Sequence, residues 1–253
     1  MKTIKLLISF ITLPLIFTSC KKETIDYQST TYNIRMTDAP GVYGAVYIDL
    51  KSVQVLGSNG KTYVLDTKAG RYNLLQFCNG MDTLIATGHI DASRVELIKL
   101  ILGPINTVVD KGITYALQTP EADQGGLTIA MHQDISSGTA NNILLDFDAC
   151  QSIVNMGNGE YKLKPVVRFI DKANTGAIKG KVTPLGVAAM IKVFSNDHTY
   201  TTNTDNNGDF LMMGIADGTY KVSINPTDPT DSYILNDVTV TTGFTTNIGT
   251  ITF

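Results

Sequence analysis

Residues 45–66 read AVYIDLKSVQVLGSNGKTYVLD, and they decide the fold class. Val53 and Val55 alternate with Ser52 and Gln54, the period of a strand with one buried face, and β-branched and aromatic residues surround them. The run then meets Asn59-Gly60, a pair that favours a tight hairpin because glycine tolerates positive φ. Outward from here the style repeats in RVELIKLIL (94–102), GITYALQTP (112–120), NILLDFD (142–148) and YKLKPVVRFI (161–170), with turns rich in Gly, Asn, Asp and Pro between them. Two stretches have helical potential. NLLQFCNG (73–80) is ambiguous, and DACQSIVNMG (148–157) suits two turns opened by Asp148 as N-cap. No amphipathic helix of ordinary length is visible, so the expected class is all-β with minor short helix.

DKANTGA (171–177) is polar, small and turn-prone, and it marks a domain boundary. Beyond it the rhythm tightens into seven short segments: AIKGKVTP, MIKVFSN, TYTTNT, DFLMMGI, GTYKVSIN, YILNDVTV and TTNIGTITF. That spacing predicts a seven-stranded Greek-key sandwich over 176–253, after a first β-domain, also sandwich-like, over 31–173.

The other end of the chain reads differently. Lys2 and Lys5 precede an apolar run from Leu6 to Phe17, which stops at Thr18, Ser19 and Cys20. The run is shorter than the ~20 apolar residues of a membrane-spanning helix and is interrupted by Pro14, so residues 1–19 read as a signal peptide. The junction resembles the lipobox of bacterial lipoproteins, which implies cleavage before Cys20 and acylation of its thiol and amine, with palmitate-like chains. More than one acyl chain makes a firm anchor. KKETIDYQST (21–30) then suits a polar tether, giving a lipidated segment over 20–30. Lys21 and Lys22 occupy the place of the inner-membrane retention signal, so the outer membrane is the expected address, with the periplasmic or surface face left open.

Without residues 1–19 the chain carries 18 basic and 23 acidic side chains, net −5, which gives no footprint for nucleic acid. Export permits a disulfide between Cys78 and Cys150; two buried free thiols are the alternative.

Chemistry is sparse. His89, His132 and His198 stand in no metal-binding spacing, and no Cys-x-x-Cys or Gly-x-Ser-x-Gly occurs. GSNGKT (57–62) has Val55 where a phosphate loop needs its first glycine. Asp205, Asn207 and Asp209 echo the start of a calcium loop, but Ala216 stands where the closing acid belongs, so turn chemistry is the preferred reading. Asp146 and Asp148 alternate with Leu145 and Phe147. A pair of carboxylates on one strand face suits acid–base work or calcium, whereas a solvated outer face is the simpler reading. Asp38, before Ala39-Pro40, reads as an Asx turn. There is no Trp; Tyr27, Tyr32, Tyr43 and Tyr47 cluster early, with Tyr43 and Tyr47 placed on one strand face. No cofactor is expected.

Two resemblances sit on particular residues. IKGKV (178–182), TDNNGDF (204–210) and GIADGTYKV (214–222) resemble the carboxypeptidase regulatory-like, prealbumin-like sandwiches, whose aromatic positions fall on Phe210 and Tyr220; starch-binding-like folds are relatives of that class. MTDAPGVYGAVYIDLKSVQV (36–55), LQTPEADQGGL (117–127) and LLDFDACQSIVNMGNGEYKLKPVVRFI (144–170) resemble the bacterial domain-of-unknown-function family 4382, with Cys150 departing from the polar residue expected there. The first implies carbohydrate recognition by analogy, and the second implies an exported, tethered protein without assigned chemistry. The expectation is a non-catalytic, lipid-anchored envelope protein that recognises glycan or protein surfaces. The alternatives are an adhesin or surface-assembly subunit using strand edges, and, third, a hydrolase using Asp146 and Asp148.

Overall fold

The computed structural model describes residues 29–120, 125–136, 138–186, 188–226 and 232–253, with the side chain of Cys150 outside that description. Cys20, the signal-like segment and Tyr27 therefore lie outside the described residues.

The first domain is two facing sheets. One has five strands, in the order β14 (Val167–Ile170), β11 (Asn141–Phe147), β1 (Thr30–Asp38), β6 (Thr83–Ile90) and β4 (Asp66–Thr67). β1 runs parallel to β11 and antiparallel to β6. The other has nine strands around β2 (Ala45–Gly57): the path β10 (Leu127–Asp134), β7 (Arg94–Leu102), β2, β8 (Thr107–Asp110), β9 (Ile113–Gln118), β13 (Glu160–Leu163) and β12 (Ile153–Gly157), with β3 (Thr62–Val64) and β5 (Gly70–Asn73) also pairing β2. Alternation decides which side chains meet. Tyr32, Ile34 and Met36 of β1 are buried while Thr31, Asn33 and Arg35 between them are only half-buried. With Ile48, Leu50, Ile98, Leu100, Leu145 and Phe147 they form one core.

The second domain is the expected seven-stranded sandwich. β15 (Gly176–Thr183) lies between β18 (Asp209–Ile215) and β21 (Thr245–Thr252), and this sheet faces β17 (Thr199–Asn203), β16 (Ala189–Phe194), β19 (Gly218–Pro226) and β20 (Tyr233–Val240), in that order. Its core is separate, with Phe210 and Tyr220 both buried among Ile178, Ile191, Val222 and Ile224.

Two local expectations need correction, and one ambiguous stretch is resolved. YKLKPVVRFI is two strands in different sheets, because Pro165 has no amide hydrogen for a ladder and the chain crosses from β13 to β14 there. DACQSIVNMG makes a single helical turn, α1 (Ala149–Ser152), capped by Asp148, whose carboxylate accepts from Gln151 N at 2.9 Å. Ile153 and Val154 then pair with β13, as β-branched residues favour. NLLQFCNG forms a 3-10 turn over Leu74–Phe77.

Glycine is required where the turn before β18 passes under β15. Gly208 has φ of 73°, donates to Asp205 O, and accepts from Val182 N at 2.8 Å; a β-carbon there would run into the Val182 carbonyl. Gly60 of the β2–β3 hairpin has φ of 76° but open space around it. Gly60→Ala should therefore cost about 1 kcal/mol, and Gly208→Ala at least about 2–3 kcal/mol, in chemical denaturation.

Candidate functional site at the domain junction

β11 is buried at every position from Ile143 to Phe147. Ile143, Leu145 and Phe147 face the first core, so Leu144 and Asp146 lie on the opposite face, which sequence reasoning assigns to solvent. The second domain covers it. Asp146 is 5% exposed and shares a small enclosed space with Ile170, Leu211, Met212 and Met213. Its charge is met by Arg168 on neighbouring β14, which donates to Asp146 Oδ2 at 2.7 Å and to Met213 O of the second domain at 3.0 Å. The same guanidinium lies 5.9 Å from the Tyr200 ring centre.

Four more side-chain contacts cross the boundary. Asn79, held at a φ of 54° in the loop after the 3-10 turn, donates to Asp205 Oδ2 at 2.8 Å and accepts from Leu211 N at 3.1 Å. Gln151 of α1 donates to Thr201 Oγ1 at 2.7 Å, and Asn203 donates to Pro40 O at 3.2 Å. Asp205 itself holds its turn together by accepting from Asn207 N and Asp209 N, while Asp209 pairs with Lys181. The three residues therefore build an Asx turn whose remaining oxygen is a domain contact.

Asp38 also departs from expectation. Rather than serving as a local Asx turn, it ends β1 inside the junction, 5% exposed, and its Oδ1 accepts from Ala149 N at 2.8 Å. Burial pushes its carboxyl well above the ordinary carboxylate range, against the Ala149 hydrogen bond, and the nearby Asp146 and Asp148 charges push it further. Burial likewise raises Asp148, which its bonds from Gln151 oppose. Asp146 and Asp148 are thus not a free pair on one strand face: one is neutralised by Arg168 and the other caps α1.

The other candidates stay apart. His132 pairs with Glu96, His198 stacks on Tyr200, and His89 is exposed on β6. Among the described residues no group of three or more His, Cys, Asp or Glu is placed to hold a metal ion. Cys78 is a free thiol that donates to Leu75 O, and burial, with Asp38 and Asp205 nearby, pushes it up, away from nucleophilic character. The side chain of Cys150, its expected partner, lies outside the described residues. Tyr43 packs edge-on against Tyr161, Tyr47 carries Arg71 over its ring, and Tyr32 is buried, so these tyrosines form no common platform.

Beside the junction a cleft of about 760 Å³ opens between the domains. Several of its polar groups are engaged by the fold: Asn73 accepts from Val46 N, Asp110 accepts from Tyr161 OH, and Asn203 and Asp205 make the contacts above. Gln76 and Asn206 are exposed in it.

Asn79, Gln151, Arg168 and Thr202, the last buried in the same enclosed space as Asp146, are the junction residues that sequence reasoning missed. Asn79-Gly80 was legible as a turn pair, and Arg168 as a lone cation between apolar neighbours. Nothing local indicates that another domain receives them.

Residues 29–165 match the family model DUF4382, domain of unknown function. The chain belongs to this family. No curated protein matches it. Among solved structures, the Bacillus anthracis TIE protein is 10% identical with a TM-score of 0.23, over 88% of this chain and 34% of that one. Shaft pilin SpaA from Lactobacillus rhamnosus GG is 8% identical with a TM-score of 0.21, over 87% of this chain and 97% of that one. A fimbrial protein from Bacteroides ovatus is 7% identical with a TM-score of 0.25, over 90% and 50%. The chain thus spans about a third of the first and half of the last, and at such scores no role is carried across.

Removing the junction cation leaves a buried carboxylate unpaired. Arg168→Met should destabilise the full chain by about 2 kcal/mol, less than the roughly 3–5 kcal/mol of a fully buried pair because the guanidinium is partly exposed. Arg168→Met combined with Asp146→Leu should recover much of the loss in urea denaturation.

Proposed function

We propose that this chain is a non-catalytic cell-envelope protein, anchored through acylated Cys20, that meets other proteins through an open strand edge as an adhesin or surface-assembly subunit. The observation that carries the reading is the edge formed by β20. Among the described residues it closes the four-stranded sheet with its outer side unpaired, and it begins with Tyr233 and Ile234, 44% and 52% exposed. An apolar, unpaired edge is a template for another strand.

Three other edges are guarded. β10 is interrupted by a bulge between Ala130 and Gln133 with His132 at a φ of 52°, β12 is bulged between Asn155 and Gly157, and β4 has two residues. The second half of β20 is approached by β21, where Thr246 Oγ1 donates to Thr239 O. The Tyr233 end of β20 is therefore an accessible edge among the described residues.

Full-length chain in detergent should form concentration-dependent oligomers in analytical ultracentrifugation, and Ile234→Lys should abolish them without lowering the melting temperature. A wild-type monomer at high concentration counts against self-assembly. Cys20→Ser should shift the chain from membrane to soluble fractions; unchanged fractionation removes the anchor.

A second reading, carbohydrate recognition, is favoured by the interdomain cleft, which joins an aromatic ring at Tyr43 to the amides of Gln76 and Asn206. A glycan array on which no sugar retains the protein at millimolar concentration would remove it.

A further inference from the structure

Among the described residues, two buried polar atoms at the junction have no protein partner, Asp38 Oδ2 and Thr202 Oγ1. They belong to opposite domains, their residues are 5% and 3% exposed, and both residues line one cavity of about 10 Å³. That volume is enough for one water and far too little for a sugar or a phosphate. A polar lining is what keeps such a space wet, and Asn79, Asp146 and Arg168 contribute to it. Hydrogen-bonding groups shut away from solvent in this manner are costly to leave unmatched.

We propose that this cavity holds one water molecule bridging Asp38 of the first domain to Thr202 of the second, and that the joint is tight while Asp38 carries a proton and loosens when it ionises. In the neutral form Oδ2–H donates to the water, the water donates to Thr202 Oγ1, and Oδ1 keeps its bond from Ala149 N. In the ionised form a third negative charge joins Asp146 of β11 and Asp148 at the cap of α1. The thiol of Cys78 lies near Asp38, and the carboxylate of Asp205 lies near that thiol. The cation of the cluster, Arg168, is already held by Asp146 and Met213 O. Burial and those carboxylates give the folded chain a higher proton affinity at Asp38 than the unfolded chain has. The sign follows: the stabilisation is complete below the ordinary carboxylate value of about 4 and is lost as pH rises through the raised folded value.

The test is the melting temperature of the full chain, in detergent micelles, between about pH 4 and 8 for wild type, Asp38→Asn and Thr202→Val. Relative to Asp38→Asn, the wild type should lose about 4 °C with rising pH for each tenfold difference in proton affinity between folded and unfolded states. Thr202→Val, which takes away one anchor of the water, should lower the wild-type melting temperature at acid pH and flatten its slope. Parallel profiles for wild type and Asp38→Asn overturn the proposal. If Asp38→Asn does not fold, an unchanged slope in Thr202→Val overturns it alone. Density within hydrogen-bond distance of both atoms in a high-resolution crystal structure supports the water. Direct contact of Oδ2 with Oγ1, or a calcium-dependent rise in melting temperature that Asp38→Asn removes, overturns it.

Discussion

Arg168 serves two domains at once. Its Nε donates to Asp146 within the first, and a terminal nitrogen donates to the Met213 carbonyl of the second. A guanidinium can do this because its donors are fixed in a plane and point in several directions; an ammonium would offer only a point charge. The need for it comes from β11, whose two faces are both covered, so that a carboxylate on the outward face is desolvated and has to be neutralised locally. The neighbouring contacts of Asn79, Gln151 and Asn203, each weaker individually, join the same two surfaces.

The all-β class was legible because its signals are local. Val53 and Val55 alternate, Asn59-Gly60 turns the chain with Gly60 at positive φ, and Asn207-Gly208 turns it before Phe210 enters the second core. The seven C-terminal segments became seven strands in two sheets for the same reason. The family resemblance read on residues 36–55, 117–127 and 144–170 stands on the match over 29–165.

The junction was not legible, and the reason is physical. Alternation says which residues share a face but not what covers that face. Asp146 looked solvated because Leu145 and Phe147 had claimed the core; a second domain then supplied another interior on the far side. Asp38 was assigned to a turn by its neighbour Pro40, whereas its true partner, the amide of Ala149, is more than a hundred residues away. Pro165 was visible, yet its effect was to send the chain from one sheet to the other, which a one-dimensional pattern records only as an interruption.

The placing of β1 has a mechanical consequence. The strand lies between β11 and β6 with its first residue, Thr30, at one end and Asp38, beside the second domain, at the other. Tension entering on the N-terminal side of Thr30 and resisted by the second domain acts along this strand's length. Its ladders on both flanks are then strained in parallel and have to rupture together, instead of opening one rung at a time. The same arrangement carries the pull toward the Asp38 end of the strand, which lies beside the second domain.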